Sequence, residues 1–373
     1  MRTILDMFRR IDYLLMLTTL LIGALSIIMI NSITTGNSDY PKQVTIQVAA
    51  FIIGFAAMIV VMLIDIAYLE RFFIGFYIAS ILIQLTVFIP GLGIEVYGSR
   101  AWISLLGVTT MQPSELVKIT FVIAMAAYLD RYQNTLFTLS GFLLAFLYAI
   151  PIIGLVAYID MGAGIILGVI FVGMVFAAGI RSKVFLRLAV AFIIAIPIIY
   201  RFLAPHQKER FEAFLHPENT EIEATYQVMQ SKIAIGSGGI FGKGLGHGTI
   251  KESGFLPVQE SDFIFSIVCE ELGFVGGTAV IFVYGIMLWR VWRVVANARE
   301  VFGALLVVGF LCMFGFQIFE NIGMTMGVMP ITGITLPFLS AGGSSVFANM
   351  VAIGIILGVG ARSKVRSYKH IST

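Results

Sequence analysis

Long apolar runs dominate the chain, and its polar residues gather where those runs stop. A helix rises 1.5 Å per residue, so about 20 apolar residues cross a hydrocarbon core of about 30 Å. About ten such runs predict an all-α membrane protein, a polytopic bundle of about ten transmembrane helices. The predicted spans are 13–33, 45–65, 71–90, 114–130, 138–157, 162–180, 184–203, 263–289, 302–324 and 343–361. The fourth is the least hydrophobic of them.

One long polar segment, residues 201–262, separates spans seven and eight and is predicted to be a large extracellular loop. The whole chain, 1–373, is interpreted as a single transmembrane domain that includes this loop. The second half of the loop, 236–248, is rich in glycine but does not match a phosphate-binding nucleotide motif. A loop of this length is usually functional or disordered, and its apolar and aromatic residues favour a functional loop that packs on the membrane domain. A merely flexible loop remains the alternative.

Composition supports a membrane protein, because 59% of the residues are hydrophobic and only 12% are charged. A soluble domain carries roughly 25% charged residues. Both cysteines, Cys269 and Cys312, lie inside apolar runs, so neither a disulfide framework nor a zinc site is expected. Nothing in this pattern predicts a nucleic-acid partner.

The distribution of basic residues predicts the orientation, because short cytoplasmic loops carry an excess of lysine and arginine. The short outer loops hold only Lys42 and Arg100, and long loops translocate largely regardless of charge. Both termini are therefore predicted to be cytoplasmic. The basic residues on the predicted inner side are Arg2, Arg9, Arg10, Arg71, Arg131, Arg181, Lys183, Arg187, Arg290, Arg293, Arg299, Arg362, Lys364, Arg366 and Lys369.

Charged residues inside or beside apolar spans are costly and are candidates for function. Glu115 and Lys118 are three residues apart and share a helix face, although they could simply neutralise each other. Asp160 follows span five, and Asp262 opens span eight. Asp262 could alternatively be only part of a helix N-cap with Ser261. The deeper acids of the same span and the next, Glu270, Glu271 and Glu320, are further candidates, of which the first two are expected to be structural.

Several segments, in order along most of the chain, resemble the SEDS family (shape, elongation, division and sporulation). Residues 98–103 and 112–118 resemble its outer-loop and fourth-helix motif, and 226–244 resemble its large-loop signature. Residues 255–257 and 261–265 resemble the segment that holds its catalytic aspartate. The segments that resemble its last outer loop are 330–333, 336–340 and 342–345.

This resemblance implies a glycosyltransferase that polymerises lipid II on the outer face of the bacterial cytoplasmic membrane. The acceptor hydroxyl would displace undecaprenyl pyrophosphate with inversion, which requires one base rather than the paired carboxylates of a glycosidase. Asp262 is the expected catalytic residue. The expected substrate-binding residues are Arg100, Glu115, Lys118, Asp160, Arg210, Lys243 and Ser344. No cofactor is clearly indicated, although a divalent cation such as Mg²⁺ could assist.

The same resemblance implies a class B penicillin-binding protein, a transpeptidase, as partner, together with other membrane proteins of the elongation complex. Short tails favour a RodA-like elongation protein, with division and sporulation relatives as alternatives. Departures from the family pattern at 158–164, at Ala341 and at His216 leave local geometry and subfamily open. A flippase for the same lipid, or a scaffold for the transpeptidase, is the rival function.

Overall fold

Apolar runs of about 20 residues become helices, because a helix satisfies its own backbone hydrogen bonds where no water is present. The computed structural model describes residues 7–34, 40–96, 99–105, 109–136, 138–180, 200–201, 205–219, 222–249 and 259–369. Its helices are α1 Tyr13–Thr34, α2 Tyr40–Leu63, α3 Ile66–Arg71, α4 Phe73–Leu85, α5 Pro113–Arg131, α6 Leu139–Ile159, α7 Met161–Ala177, α8 Pro205–Leu215, α9 Glu223–Ser237, α10 Ile264–Asn297, α11 Val301–Thr325 and α12 Gly343–Lys369. The all-α membrane fold class is confirmed.

The predicted spans coincide with helices wherever the structure describes them. Within α1, α2, α6, α10, α11 and α12, a stretch is long and apolar enough to cross a membrane, while Phe73–Phe88 and α7 are shorter apolar helices. Predicted span seven, 184–203, lies almost wholly outside the described residues. The weak fourth span is α5, and 14 of its 19 residues are buried. Its low hydrophobicity follows from this position, because α5 packs against neighbouring helices instead of lipid.

The bundle is built by close helix pairs. α12 packs along α2, α4 along α5, and α11 against both α7 and α10. Gly354 shows how closely α12 approaches α2, because a Cβ there would lie 2.6 Å from the backbone oxygen of Met58. Small residues at such contacts let backbones approach within van der Waals distance, which drives helix association in lipid.

α10 is broken near one end, and residues 238–249, the crossing segment, fill the break. Gly273 has φ 70°, so the helix cannot continue its own hydrogen bonds there. The amides of Lys243 and Gly244 donate to the carbonyls of Glu270 and Glu271. On the other side of the break, Phe274 and Val275 donate to carbonyls of Gly239 and Ile240. The glycine-rich segment is therefore ordered against α10, and the interpretation of it as a merely flexible loop is wrong.

A small sheet was not predicted from the sequence. Strands β1 Gly93–Val96, β2 Ser99–Leu105 and β3 Thr109–Met111 form an antiparallel sheet in the order β1-β2-β3. Ile103 pairs with both Gly93 and Met111. The sheet ends directly before α5, and its residues Ala101 and Trp102 line a cavity at this end of the bundle.

The large loop also contains helices. α8 and α9 lie within the predicted loop 201–262, and α9 packs on α10 and α11. A satellite core joins them to the bundle through Ala234, Phe263, Met324 and Ile331. The loop therefore covers the helix ends on one side of the membrane domain.

Candidate active site

A cavity of about 530 Å³ lies under α8 and α9, at the ends of α5, α7, α10 and α12. Its walls come from segments far apart in sequence: β2, the α6–α7 junction, both loop helices, the residues before α10 and the connection between α11 and α12. The ionisable side chains on these walls belong to Asp160, Glu209, Arg210, Glu223 and Asp262. Among the described residues, the cavity thus combines carboxylates with one guanidinium.

Asp262 is held in place by side chains that donate hydrogen bonds to the backbone carbonyls of its segment. Asn321, fully buried in α11, donates its side-chain amide to the carbonyl of Asp262 at 2.9 Å and to that of Ile334 at 2.8 Å. Ser340 Oγ donates to the carbonyl of Ser261 at 2.5 Å. These bonds fix the short segment before α10 against the connection between α11 and α12.

The side chain of Asp262 points one oxygen at Ser261, whose Oγ donates to Oδ1 at 2.6 Å. Oδ2 accepts no hydrogen bond from any residue that the structure describes. The N-cap of α10 is Phe263, which makes no side-chain capping bond. The interpretation of Asp262 as a capping residue is therefore wrong. Its free oxygen is available to a ligand in the cavity.

Arg210 shares this part of the cavity with Asp262. A Cβ on Gly333 would lie 3.6 Å from both Arg210 Nη1 and Asp262 Oδ2. Burial raises the pKa of Asp262, while the Ser261 hydrogen bond and the Arg210 charge lower it. Glu260 and Asp160 act with burial to raise the pKa.

Asp160 differs because both its oxygens are occupied by the protein. Oδ1 accepts from the amide of Ala163 at 3.0 Å and caps α7, while Oδ2 accepts from Gln112 Nε2 at 2.6 Å and Ser114 Oγ at 3.2 Å. Burial raises the pKa of Asp160, and the bond from Ala163 opposes it. Asp160 thus joins α7 to the start of α5.

Glu115 and Lys118 form a buried ion pair of 2.9 Å in the first turns of α5, with side chains only 6% and 1% exposed. Neither lines the cavity. Ser114, which precedes Glu115, donates to Asp160, so the pair is one residue removed from the cavity wall. The predicted sharing of a helix face is confirmed by the ion pair itself.

The other predicted substrate residues divide into two groups. Arg210 and Ser344 line the cavity, and Ser344 Oγ accepts from the amide of Gln112 at 3.3 Å. Arg100 is exposed on β2 and contributes no wall, although its neighbours Ala101 and Trp102 do. Lys243 lies elsewhere, in the crossing segment, where Nζ donates to Glu270 at 2.7 Å and to Thr249 at 2.7 Å.

The acids of the broken helix have partners that fit the expected structural role. Glu270 accepts from the amide of Thr249 at 2.9 Å as well as from Lys243. Glu271 accepts from Ser32 Oγ of α1 at 2.6 Å. These contacts tie α1, the crossing segment and α10 together.

Sequence reasoning missed several cavity residues. Gln112, Gln227 and Glu223 line the cavity, and Asn321 lies behind it. Gln112 stood within the segment compared with the family motif, which is the one signal that could have identified it. Asn321 is a polar residue in a buried apolar helix, and such residues are costly unless they bond.

The described residues include no group of three or more histidine, cysteine, aspartate or glutamate side chains that could hold a metal. A Mg²⁺ ion bound together with a phosphate ligand needs only one or two protein carboxylates. Asp262 and Glu223 are two carboxylates on the cavity wall that could supply them. Such an ion would neutralise charge on that phosphate.

The fold and the cavity define a class: a multi-pass membrane protein with a cavity that carries carboxylates and an arginine and is covered by a folded loop at one end of the helix bundle. The family model for the cell cycle proteins FtsW, RodA and SpoVE matches residues 12–365. The chain belongs to this family, the SEDS family.

Relatives agree with this assignment. Stage V sporulation protein E of Bacillus subtilis is 32% identical over 363 residues, covering 95% of this chain and 98% of that protein. A protein of Geobacter metallireducens named probable peptidoglycan glycosyltransferase FtsW is 37% identical over 321 residues, covering 84% of this chain and 83% of that protein.

Solved structures show the same architecture. A chain of a peptidoglycan synthase complex that couples polymerization and crosslinking has a TM-score of 0.80 at 27% identity, covering 94% of this chain and 97% of that chain. The Thermus thermophilus rod shape determining protein RodA has a TM-score of 0.68 at 25% identity, covering 94% and 96%. The match extends over nearly the whole chain in both cases.

Proposed function

We propose that this chain is a peptidoglycan glycosyltransferase that polymerises lipid II into glycan strands. The observation that carries the proposal is Asp262, whose Oδ2 accepts no hydrogen bond from the described residues and lies beside Arg210 in the covered cavity. Relatives named as peptidoglycan glycosyltransferases support the same activity.

The proposed reaction is one inverting displacement. The acceptor sugar hydroxyl attacks the anomeric carbon of the donor, and the bond from that carbon to the pyrophosphate oxygen breaks. The hydroxyl proton passes to Asp262, and undecaprenyl pyrophosphate leaves with the bonding electron pair. Positioned bases of this kind contribute on the order of 10²–10⁴-fold.

The leaving group needs charge neutralisation more than a proton, since pyrophosphate is a stable anion. Arg210 is the cation on the cavity wall among the described residues, and a guanidinium matches phosphate oxygens bidentately. Glu115 and Lys118 support the wall through Ser114 and Asp160. Lys243 is assigned to the structure of α10 instead of to the pyrophosphate, because Glu270 already pairs with it.

A class B penicillin-binding protein is the proposed partner, in line with the relative that belongs to a peptidoglycan synthase complex. Elongation is the proposed setting. Division and sporulation remain alternatives, which relatives named FtsW and stage V sporulation protein E support. Comparing rescue of elongation, division and sporulation mutants by the same gene would distinguish the three settings.

Purified chain supplied with lipid II, with and without the partner, tests the proposed activity against its rivals. Glycan polymer that depends on Asp262 is the expected product. Transbilayer movement of lipid II without polymer would instead identify a flippase, and neither activity would identify a scaffold.

The orientation proposed for the chain places the large loop outside a bacterial cytoplasmic membrane and both termini inside. In a Cys269→Ala, Cys312→Ala background, we expect Glu218→Cys to react with an impermeant thiol reagent on intact protoplasts. Asn297→Cys should remain unlabelled until the membrane is opened. Both side chains are exposed in the structure, so a reversed labelling pattern would reject this orientation.

A further inference from the structure

A second cavity, of about 300 Å³, lies at the end of the bundle opposite Asp262, between the last turns of α10 and α12. Its lining includes four arginines, Arg10, Arg290, Arg293 and Arg299. Among the described lining residues Asp12 is the one carboxylate. We call this the arginine cavity. It shares no residue with the cavity of Asp262.

The one carboxylate is already used within the protein. Arg290 Nε donates to Oδ1 of Asp12 at 3.0 Å and to Oδ2 at 2.9 Å, and Nη2 donates to Oδ2 at 2.6 Å. This bidentate pair joins α10 to the residue before α1. The cavity therefore keeps positive charge from Arg293 and Arg299, two lining residues whose side chains are exposed.

Two tryptophans stand on α10 beside the arginine cavity. Trp289 is 51% exposed and Trp292 is 55% exposed. The guanidinium carbons of Arg290 and Arg293 lie 5.3 Å and 5.4 Å from the ring centre of Trp289. Exposed tryptophans at the end of an apolar membrane helix typically lie at the depth of the lipid headgroups.

We propose that the arginine cavity binds the phosphate of an anionic phospholipid headgroup, with the acyl chains leaving along the tryptophan face of α10. Guanidiniums bind phosphate through charge-assisted, bidentate hydrogen bonds. Basic pockets between transmembrane helices are suited to anionic headgroups. A soluble phosphate would find the same cations, but the neighbouring tryptophans favour a ligand that has both a phosphate and a hydrocarbon part.

The test uses purified full-length chain in neutral detergent, titrated with dioleoylphosphatidylglycerol or dioleoylphosphatidylcholine and followed by native mass spectrometry and thermal stability. We expect saturable binding of phosphatidylglycerol and not of phosphatidylcholine. Arg293→Gln with Arg299→Gln should weaken phosphatidylglycerol binding at least about tenfold, since each basic residue contributes appreciably to attraction of anionic lipid. Both side chains are exposed and the Arg290–Asp12 pair stays intact, so the variant should fold.

The matched control is Arg71→Gln with Arg131→Gln, which removes the same charge at the same end of the bundle but outside the arginine cavity. Its affinity should stay within about twofold of the parent. An equal loss in the control would overturn the proposal, because general surface charge would then explain binding. Full competition by millimolar inorganic phosphate would overturn the lipid assignment in favour of a soluble anion. If the double variant does not fold, Arg299→Gln alone must still weaken binding.

Discussion

Asp160 and Asp262 line the same cavity, are both raised in pKa by burial, and nevertheless make opposite kinds of contact. Asp160 uses both oxygens to cap α7 and to hold the start of α5. Asp262 is held through its backbone by Asn321, and the structure leaves Oδ2 to the cavity. Position in a cavity is therefore a poor guide to a carboxylate's role, and the count of satisfied oxygens is a better one.

Asp262→Asn should give the largest effect, because it keeps the size of the side chain and removes the basic oxygen. We expect lipid II polymerisation to fall at least about 100-fold at normal membrane levels. Asp160→Asn is the matched change, since asparagine caps a helix about as well as aspartate. It should lose less than about tenfold. Equal losses in the two variants would show that the aspartates do not divide their roles in this way.

The Glu115–Lys118 ion pair follows Ser114, which donates a hydrogen bond to Asp160, so it extends the comparison to the residues that hold Asp160 in place. Removing one partner of a buried pair leaves an uncompensated charge and costs about 3–5 kcal/mol. Glu115→Gln or Lys118→Met should therefore lower thermal stability and polymerisation together. The double variant should be less impaired than the worse single one if the pair acts only as a support. A stable but inactive double variant would instead assign Lys118 a direct part in the reaction.

The pH dependence of polymerisation tests Asp262 as the general base. A general base works when ionised, and burial raises the pKa of Asp262, so activity should be lost on acidification at a pH above the ordinary range of aspartate. Arg210 lowers this pKa, so Arg210→Gln should move the acid limb of kcat/KM to higher pH. A limb that stays in place or moves down would mean that another group is titrating.

The smallest expected effect on polymerisation concerns Lys243. This lysine pairs with Glu270 in the broken helix, whereas Arg210 lines the cavity. Lys243→Met should remove one of the partners of the buried Glu270 carboxylate and lower stability by about 1–3 kcal/mol, since the lysine is partly exposed. Polymerisation by the folded fraction should change less than about threefold. Thermal unfolding and polymer yield per folded molecule measure the two effects. A stable Lys243→Met protein with little activity would restore the pyrophosphate role expected from the sequence.

The sequence predicted the parts of this molecule that depend on local pattern. Apolar runs gave the helices, and the spacing of Glu115 and Lys118 gave their ion pair, because both depend on neighbours along the chain. Contacts between residues far apart in the sequence could not be predicted in this way. The bonds from the crossing segment to Glu270, and from Asn321 to the carbonyl of Asp262, join residues brought together only by the fold. The strands of 93–111 were missed because they are short and lie in the connection between two predicted spans.

The break in α10 has a consequence for the order of assembly. Backbone groups left unbonded in hydrocarbon cost several kcal/mol each, so the helix is poorly satisfied until residues 239–244 dock into the gap. Those residues are synthesised before α10, and in the orientation proposed above they must cross the membrane ahead of it. Insertion of α10 and closure of the large loop are therefore expected to be a single cooperative step. Amide exchange should report it, with the amides of 243–244 and 274–275 opening together at one rate.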